Sequence, residues 1–213
     1  MNTERHTSHA IPSGIEDLDR ITGGLLTGDN VVWVTDQQDL FDRAERLLIE
    51  AGPSDQRILH VSGRESTAAI RSRLGDRVQV LEAKRGSSKS DPIVLEQTIV
   101  TEARNGATRI IVDGLASFAD QWGLDRAVAF FRRVCPRLFD LGAIAYWRVS
   151  RDKLGNNAID SIRKVTQCVF ELSPTQLKIV KAEGRSALMQ GRVFRITLED
   201  EMGIEPSPLG DAS

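Results

Sequence analysis

Five apolar runs of strand length, Val31 to Val34, Ile58 to Val61, Val78 to Leu81, Ile110 to Val112 and Ile144 to Trp147, recur along the chain with helical patterns between them. Runs with few polar positions belong to strands buried on both faces, and interleaved helices supply the cover. The pattern predicts an α/β fold with a mostly parallel sheet flanked by helices. Between the last two runs, Leu124, Val128, Phe131, Val134 and Leu138 fall on one helical face, and Gly142 stands where that helix should stop. After Lys164 the pattern changes. Cys168 to Leu172, Leu177 to Lys181 and Arg192 to Thr197 read as short strands separated by turn residues such as Ser173-Pro174 and Glu183-Gly184, which predicts a C-terminal antiparallel extension of the sheet. One domain over 11–204 is expected, with a disordered N-terminus at 1–10 and a flexible tail at 205–213. There is no internal repeat and no inter-domain linker.

Charge excludes some partners. The 28 Lys and Arg against 30 Asp and Glu give a net charge of -2, which removes the bulk electrostatic case for nucleic acid or an anionic membrane. No apolar stretch approaches the roughly 18 to 20 residues of a membrane span, and the polar start through Ser13 lacks a signal-peptide core, so a cytoplasmic protein is expected. Cys135 and Cys168 sit in apolar patterns and read as small core residues, and no metal site is expected. His6 and His9 have no carboxylate or thiol framework around them. His60, inside an apolar strand, reads as a hydrogen-bonded core histidine. The basic segment Lys84 to Ser90 reads as a solvated loop.

Four segments together carry a resemblance: IPSGIEDLDRITGGLLTGDNVVWV (Ile11 to Val34), ILHVSGRESTAAIRSRLG (Ile58 to Gly75), RIIVDGLASF (Arg109 to Phe118) and KIVKAEGRSALMQGRVFRIT (Lys178 to Thr197). In this order they resemble the opening, the second strand, the Walker B strand and the C-terminal hairpin of the RecA-like P-loop ATPase core in the KaiC and RadA families. The resemblance implies a RecA-like P-loop NTPase fold over nearly the whole chain.

The chemistry of such an ATPase needs G-x-x-x-x-G-K-[ST] after the first strand. Glycines let backbone N–H groups close on the phosphates, the lysine neutralises their charge, and the hydroxyl holds Mg²⁺. That place here reads Thr35, Asp36, Gln37, Gln38, Asp39, Leu40, Phe41, Asp42, with no glycine between Gly28 and Gly52 and no lysine before Lys84. A tight strand-to-helix turn is expected, with Asp36 or Asp39 capping the helix where a phosphate would otherwise bind. Asp36, Asp39 and Asp42 would also repel a triphosphate, each like-charge contact at roughly 4 Å costing about 1 kcal/mol in water and about 4 at an effective dielectric of 20.

The remaining family positions divide. The glutamate pair that polarises water in the family reads Arg64-Glu65 here, and Glu65 is a relic candidate. Asp113 matches the Walker B aspartate that helps hold Mg²⁺, and is expected to cap the following turn instead. The Lys-x-Arg pair of the hairpin reads Lys181-Ala182-Glu183. The resemblance therefore implies a pseudo-ATPase, a regulatory or protein-interaction module without catalytic residues or a nucleotide cofactor. Its expected partner is a protein, either a second copy or a RecA-like relative. Asp36, Asp39 and Asp42 on one side and Lys178, Lys181 and Arg185 on the other are its interface candidates. Trp122 and Trp147 are weaker ones, since most tryptophans in such a domain are core. The alternative is a divergent ATPase that binds ATP and Mg²⁺ in a site completed in trans. Under that alternative, DNA would be reached through Val149 to Asn157, which holds Arg151 and Lys153 but no aromatic stacking residue.

Overall fold

The computed structural model describes residues 10–198 and 202–206. Helix α1 (Glu16–Thr22) precedes β1 (Asn30–Val34), α2 (Gln38–Glu50), β2 (Arg57–Ser62), α3 (Thr67–Leu74), β3 (Val78–Glu82), α4 (Pro92–Arg104) and β4 (Ala107–Asp113). Then follow α5 (Leu115–Trp122), α6 (Leu124–Asp140), β5 (Ile144–Val149), α7 (Arg151–Leu154), α8 (Asn156–Arg163), β6 (Cys168–Leu172), β7 (Gln176–Ala182), β8 (Val193–Leu198) and β9 (Met202–Pro206). The strands form one sheet in the order β3-β2-β4-β5-β1-β6-β7-β8-β9. The first six run parallel, and β7, β8 and β9 add to the edge antiparallel.

Alternation along β1 splits the core in two. Val32 and Val34 face α4, α5, α6 and α8 together with Leu59, Val61, Val112 and Trp147. Val31 and Trp33 face α1, α2 and α3 with Ile58, Ile111, Tyr146 and Phe170. The apolar runs are nearly unbroken because both faces are covered. Helix α6 buries the stripe Ala127, Phe131, Val134 and Leu138, and stops before Gly142, which takes φ 69°. Pro136 is tolerated inside this helix on its exposed side.

The strand at the C-terminal end was not legible. The boundary expected at 205 falls inside β9, whose Glu205 pairs with Arg195 and whose Ile204 N–H donates to Asp17 Oδ2 of α1 at 2.8 Å. Alternation over only five residues that include a glycine and a proline is a weak strand signal. The expectations for 1–9 and 207–213 lie outside the described residues. Both cysteine thiols are buried, and burial pushes each up to about 12, which suits inert core residues. Trp147 is fully buried, so the partner-surface reading fails there. Trp122 is half-buried, stacked on Phe118 at 4.5 Å, and donates Nε1–H to Ser90 O at 2.6 Å. No helix among the described residues is long and apolar enough to cross a membrane.

Candidate functional site

The C-terminal ends of β1, β2, β4 and β5 converge on one group of charged side chains. The turn from β1 into α2 is only three residues long, Thr35 to Gln37, and Thr35 Oγ1 accepts the Gln37 N–H at 3.1 Å. The expected helix cap is not there. Gln37 occupies the N-cap position of α2 without a side-chain bond. Asp36 turns the other way, accepting Ser150 Oγ–H at 2.5 Å and Asp152 N–H at 3.3 Å, so it fastens β1 to the start of α7. Asp39 is exposed in the first turn of α2, where its charge complements the helix dipole.

Helix α2 instead sends Gln38 and Asp42 inward. Gln38 Nε2–H donates to Asp42 Oδ1 at 2.5 Å and to Asp113 Oδ2 at 3.2 Å. Asp113 ends β4 opposite Ser62 of β2, and Ser62 Oγ accepts the N–H groups of Arg64 and Glu65 at 3.2 and 2.7 Å. The turns after β2 and β4 touch so closely that a Cβ on Gly114 would lie 2.9 Å from the Gly63 nitrogen, and one on Gly63 would lie 2.8 Å from Phe118 Cε1, so both positions need glycine. Carboxylate oxygens of Asp42, Glu65 and Asp113 consequently lie within 4.8 Å of one another.

Such a donor set alone would suit a divalent cation, but three arginines of the chain supply the positive charge. Arg64 lies 2.9 Å from Glu65 and 3.6 Å from Asp113. Arg148, from β5 beside Asp113, lies 3.4 Å from it. Arg73 of α3 lies 3.3 Å from Glu65 and 3.7 Å from Asp42, and also bonds Glu45. Glu45 is fully buried on α2 and lies 3.2 Å from the equally buried His60 Nε2. His60 is therefore a core histidine paired with a carboxylate. Asp113 does not cap the following turn as expected; Gly114 holds the N-cap position of α5, and the Asp113 carboxylate is ion-paired.

Electrostatics follow from this geometry. Burial pushes the Asp42 carboxyl above its ordinary range, with Glu45 and Asp113 adding to the rise, while the Gln38 hydrogen bond and the Arg73 charge oppose it. Burial alone would lower Arg73, but the charge and hydrogen bond of Glu45, with Asp42 and Glu65, hold it above its ordinary value. Sequence reasoning missed Glu45, Arg73 and Arg148. Glu45 did carry a signal, because it stands among Phe41, Ala44 and Leu48 on the apolar stripe of α2.

Two of the three interface candidates on the C-terminal hairpin are engaged within the chain. Arg185 is turned inward, donating to Gly24 O at 2.7 Å and to Asp29 Oδ2 at 2.5 Å, in an ion pair whose side chains are 5% and 3% exposed. Lys181 Nζ donates to Arg163 O at 3.1 Å and Thr166 O at 2.5 Å, closing the C-terminus of α8, and pairs with Glu183 at 3.1 Å. Of the three interface candidates on the hairpin, Lys178 alone is exposed without a partner among the described residues; Arg192 and Arg195, which the sequence reading did not single out, are exposed there as well. The segment expected to reach DNA is folded into α7 and the start of α8, with Arg151 bonded to Glu171 at 2.5 Å and to Asn156 at 2.6 Å.

No family model matches the chain, and no curated protein does. Among solved structures it is similar to a KaiC-like protein of the hyperthermophilic archaeon Pyrococcus horikoshii OT3. The TM-score is 0.73 at 14% identity, over 93% of this chain and 100% of that one. At that identity the likeness speaks for the fold alone: a RecA-type α/β fold of the KaiC-like kind, with a mostly parallel sheet and an antiparallel C-terminal extension.

Proposed function

We propose that this chain is a RecA-type pseudo-ATPase, a regulatory or protein-interaction module in which side chains stand where a nucleotide and its metal would bind. The observation that carries this reading is the pairing of Asp113 with Arg64 and Arg148, two cations tethered to the residue that would help hold Mg²⁺. The three-residue turn after β1 supports it, since it has no glycine to bring backbone N–H groups around phosphates and no lysine to meet them. Positive charge held covalently next to three carboxylates is present whether or not a ligand is, so any partner is engaged without a nucleotide. The exposed Asp36 and Asp39, and Lys178, which has no partner among the described residues, remain for that contact.

The survival of Glu65 beside Asp113 favours the competing reading of a divergent ATPase. One experiment separates them. Thermal unfolding of the purified protein with millimolar ATP and Mg²⁺ should show no shift, and sedimentation should give the same species with and without nucleotide. A ligand at 100 times its dissociation constant would add about 2.7 kcal/mol of stability. A saturable, Mg²⁺-dependent shift refutes the proposal.

A further inference from the structure

Beside the arginine-filled group, a separate cleft of about 270 Å³ opens at the C-terminal ends of β1 and β6 and the N-terminal end of the antiparallel β7. Its apolar lining is Val34, Leu172 and Val193. Charges are arranged across it in sequence. Asp36 stands on the β1 side, the Arg151–Glu171 ion pair at 2.5 Å lies in the middle, and Lys178 stands on the β7 side. The strands are neighbours in the order β1-β6-β7, with Lys178 opposite Glu171, so at about 4.8 Å per step the backbones of the two outer strands are about 10 Å apart. Asp36 and Lys178 form no ion pair with each other, and Lys178 has no partner among the described residues.

We propose that this cleft binds a small zwitterion whose ammonium and carboxylate are several bonds apart, of the class of ω-amino acids and dipeptides. The ammonium end would meet Asp36 and the free oxygen of Glu171, the carboxylate end would meet Lys178, and the neutral spacer would cross the internally neutralised ion pair on the apolar lining. A lone anion would be attracted by Lys178 but repelled by Asp36, and a lone cation the reverse, so only a ligand carrying both charges gains at both walls. An α-amino acid brings its two charges too close together to reach both. The volume is just below the roughly 300 to 1,000 Å³ of sites for larger ligands, which limits the ligand to a small one. None of its charged groups takes part in the Asp113 cluster, but Asp36 and Lys178 are also the residues left for a protein partner in the proposed function, and calorimetry with the small zwitterions alone tests the cleft without that partner.

The test is titration calorimetry of the wild-type chain with γ-aminobutyrate, ε-aminocaproate and glycylglycine. Glycine, butyrate, butylamine and adenosine serve as controls. Saturable binding of at least one long zwitterion is expected, with weaker or no binding of every control. Lys178→Met, an exposed substitution whose folding is checked by circular dichroism, should weaken that binding by about tenfold or more. Asp36→Asn should do the same at the other wall, with its melting curve reporting any loss of the Ser150 contact. No saturable heat from any long zwitterion up to about 10 mM overturns the proposal. So does equal or tighter binding of a single-charge compound or adenosine, or an unchanged affinity in Lys178→Met.

Discussion

Replacing Arg73 by methionine is the sharpest test of how the charged group holds together. The methionine keeps most of the aliphatic stem packed between α2 and α3 and removes only the guanidinium. Glu45 then remains fully buried, its other polar contact being His60 at 3.2 Å, while Glu65 and Asp42 lose a cation at 3.3 and 3.7 Å. Breaking one partner from a buried ion pair costs about 3 to 5 kcal/mol because the other charge stays behind. Against a total stability of about 5 to 15 kcal/mol, that is a large fraction. Urea unfolding followed by circular dichroism should show a midpoint lowered accordingly, with an unchanged slope. Adding Glu45→Gln to Arg73→Met should recover most of the loss, since the penalty lies in the stranded carboxylate and not in the missing bond. A cost below about 1 kcal/mol for the single variant, or no recovery in the double one, would refute the reasoning, because Glu45 would then have been stabilised by something other than Arg73.

Two further outcomes concern Asp42 and Arg185. The Asp42 carboxyl is raised by burial, so the folded state binds its proton more readily than the unfolded chain; this contribution is favourable at low pH and is lost as pH rises through the folded value. Asp42→Asn should flatten that part of the pH dependence in urea midpoints measured from acid to neutral pH, and a profile identical to the wild type would count against the assignment. Arg185→Met strands the buried Asp29 and should cost about 3 to 5 kcal/mol, with faster amide exchange over 183–192; a near-neutral effect would mean that the hairpin is held elsewhere.

Most of the architecture was legible because it follows from burial. The five apolar runs appear as β1 to β5, and the helical face from Leu124 to Leu138 appears as α6, since a strand covered on both sides has few other ways to be written. The Glu183-Gly184 turn was placed correctly for the same local reason, φ 75° at Gly184 requiring a residue without a side chain. β9 was hidden because its pairing with β8 and its bond to Asp17 of α1 are long-range facts, whereas its composition reads as a tail.

The charged residues divide along a different line, between what a motif position can say and what only the fold can say. Asp113 and Glu65 were identified by their match to motif positions of the resembled family, and the structure does bring them together. Their cations are Arg64 from the turn after β2, Arg73 from a helix of weak amphipathicity, and Arg148 from the end of β5, where it reads like any polar residue after an apolar run. Conversely, Lys181 and Arg185 looked available because a basic hairpin in sequence has no visible acceptors, yet Thr166 O, Gly24 O and Asp29 lie within reach once β6, β7 and the segment before β1 are side by side. Carboxylates at strand ends can thus be found from sequence, while their state of compensation cannot. In the reading proposed for this chain that compensation decides the function, for a site whose positive charge is tethered has no need of a metal ion to complete it.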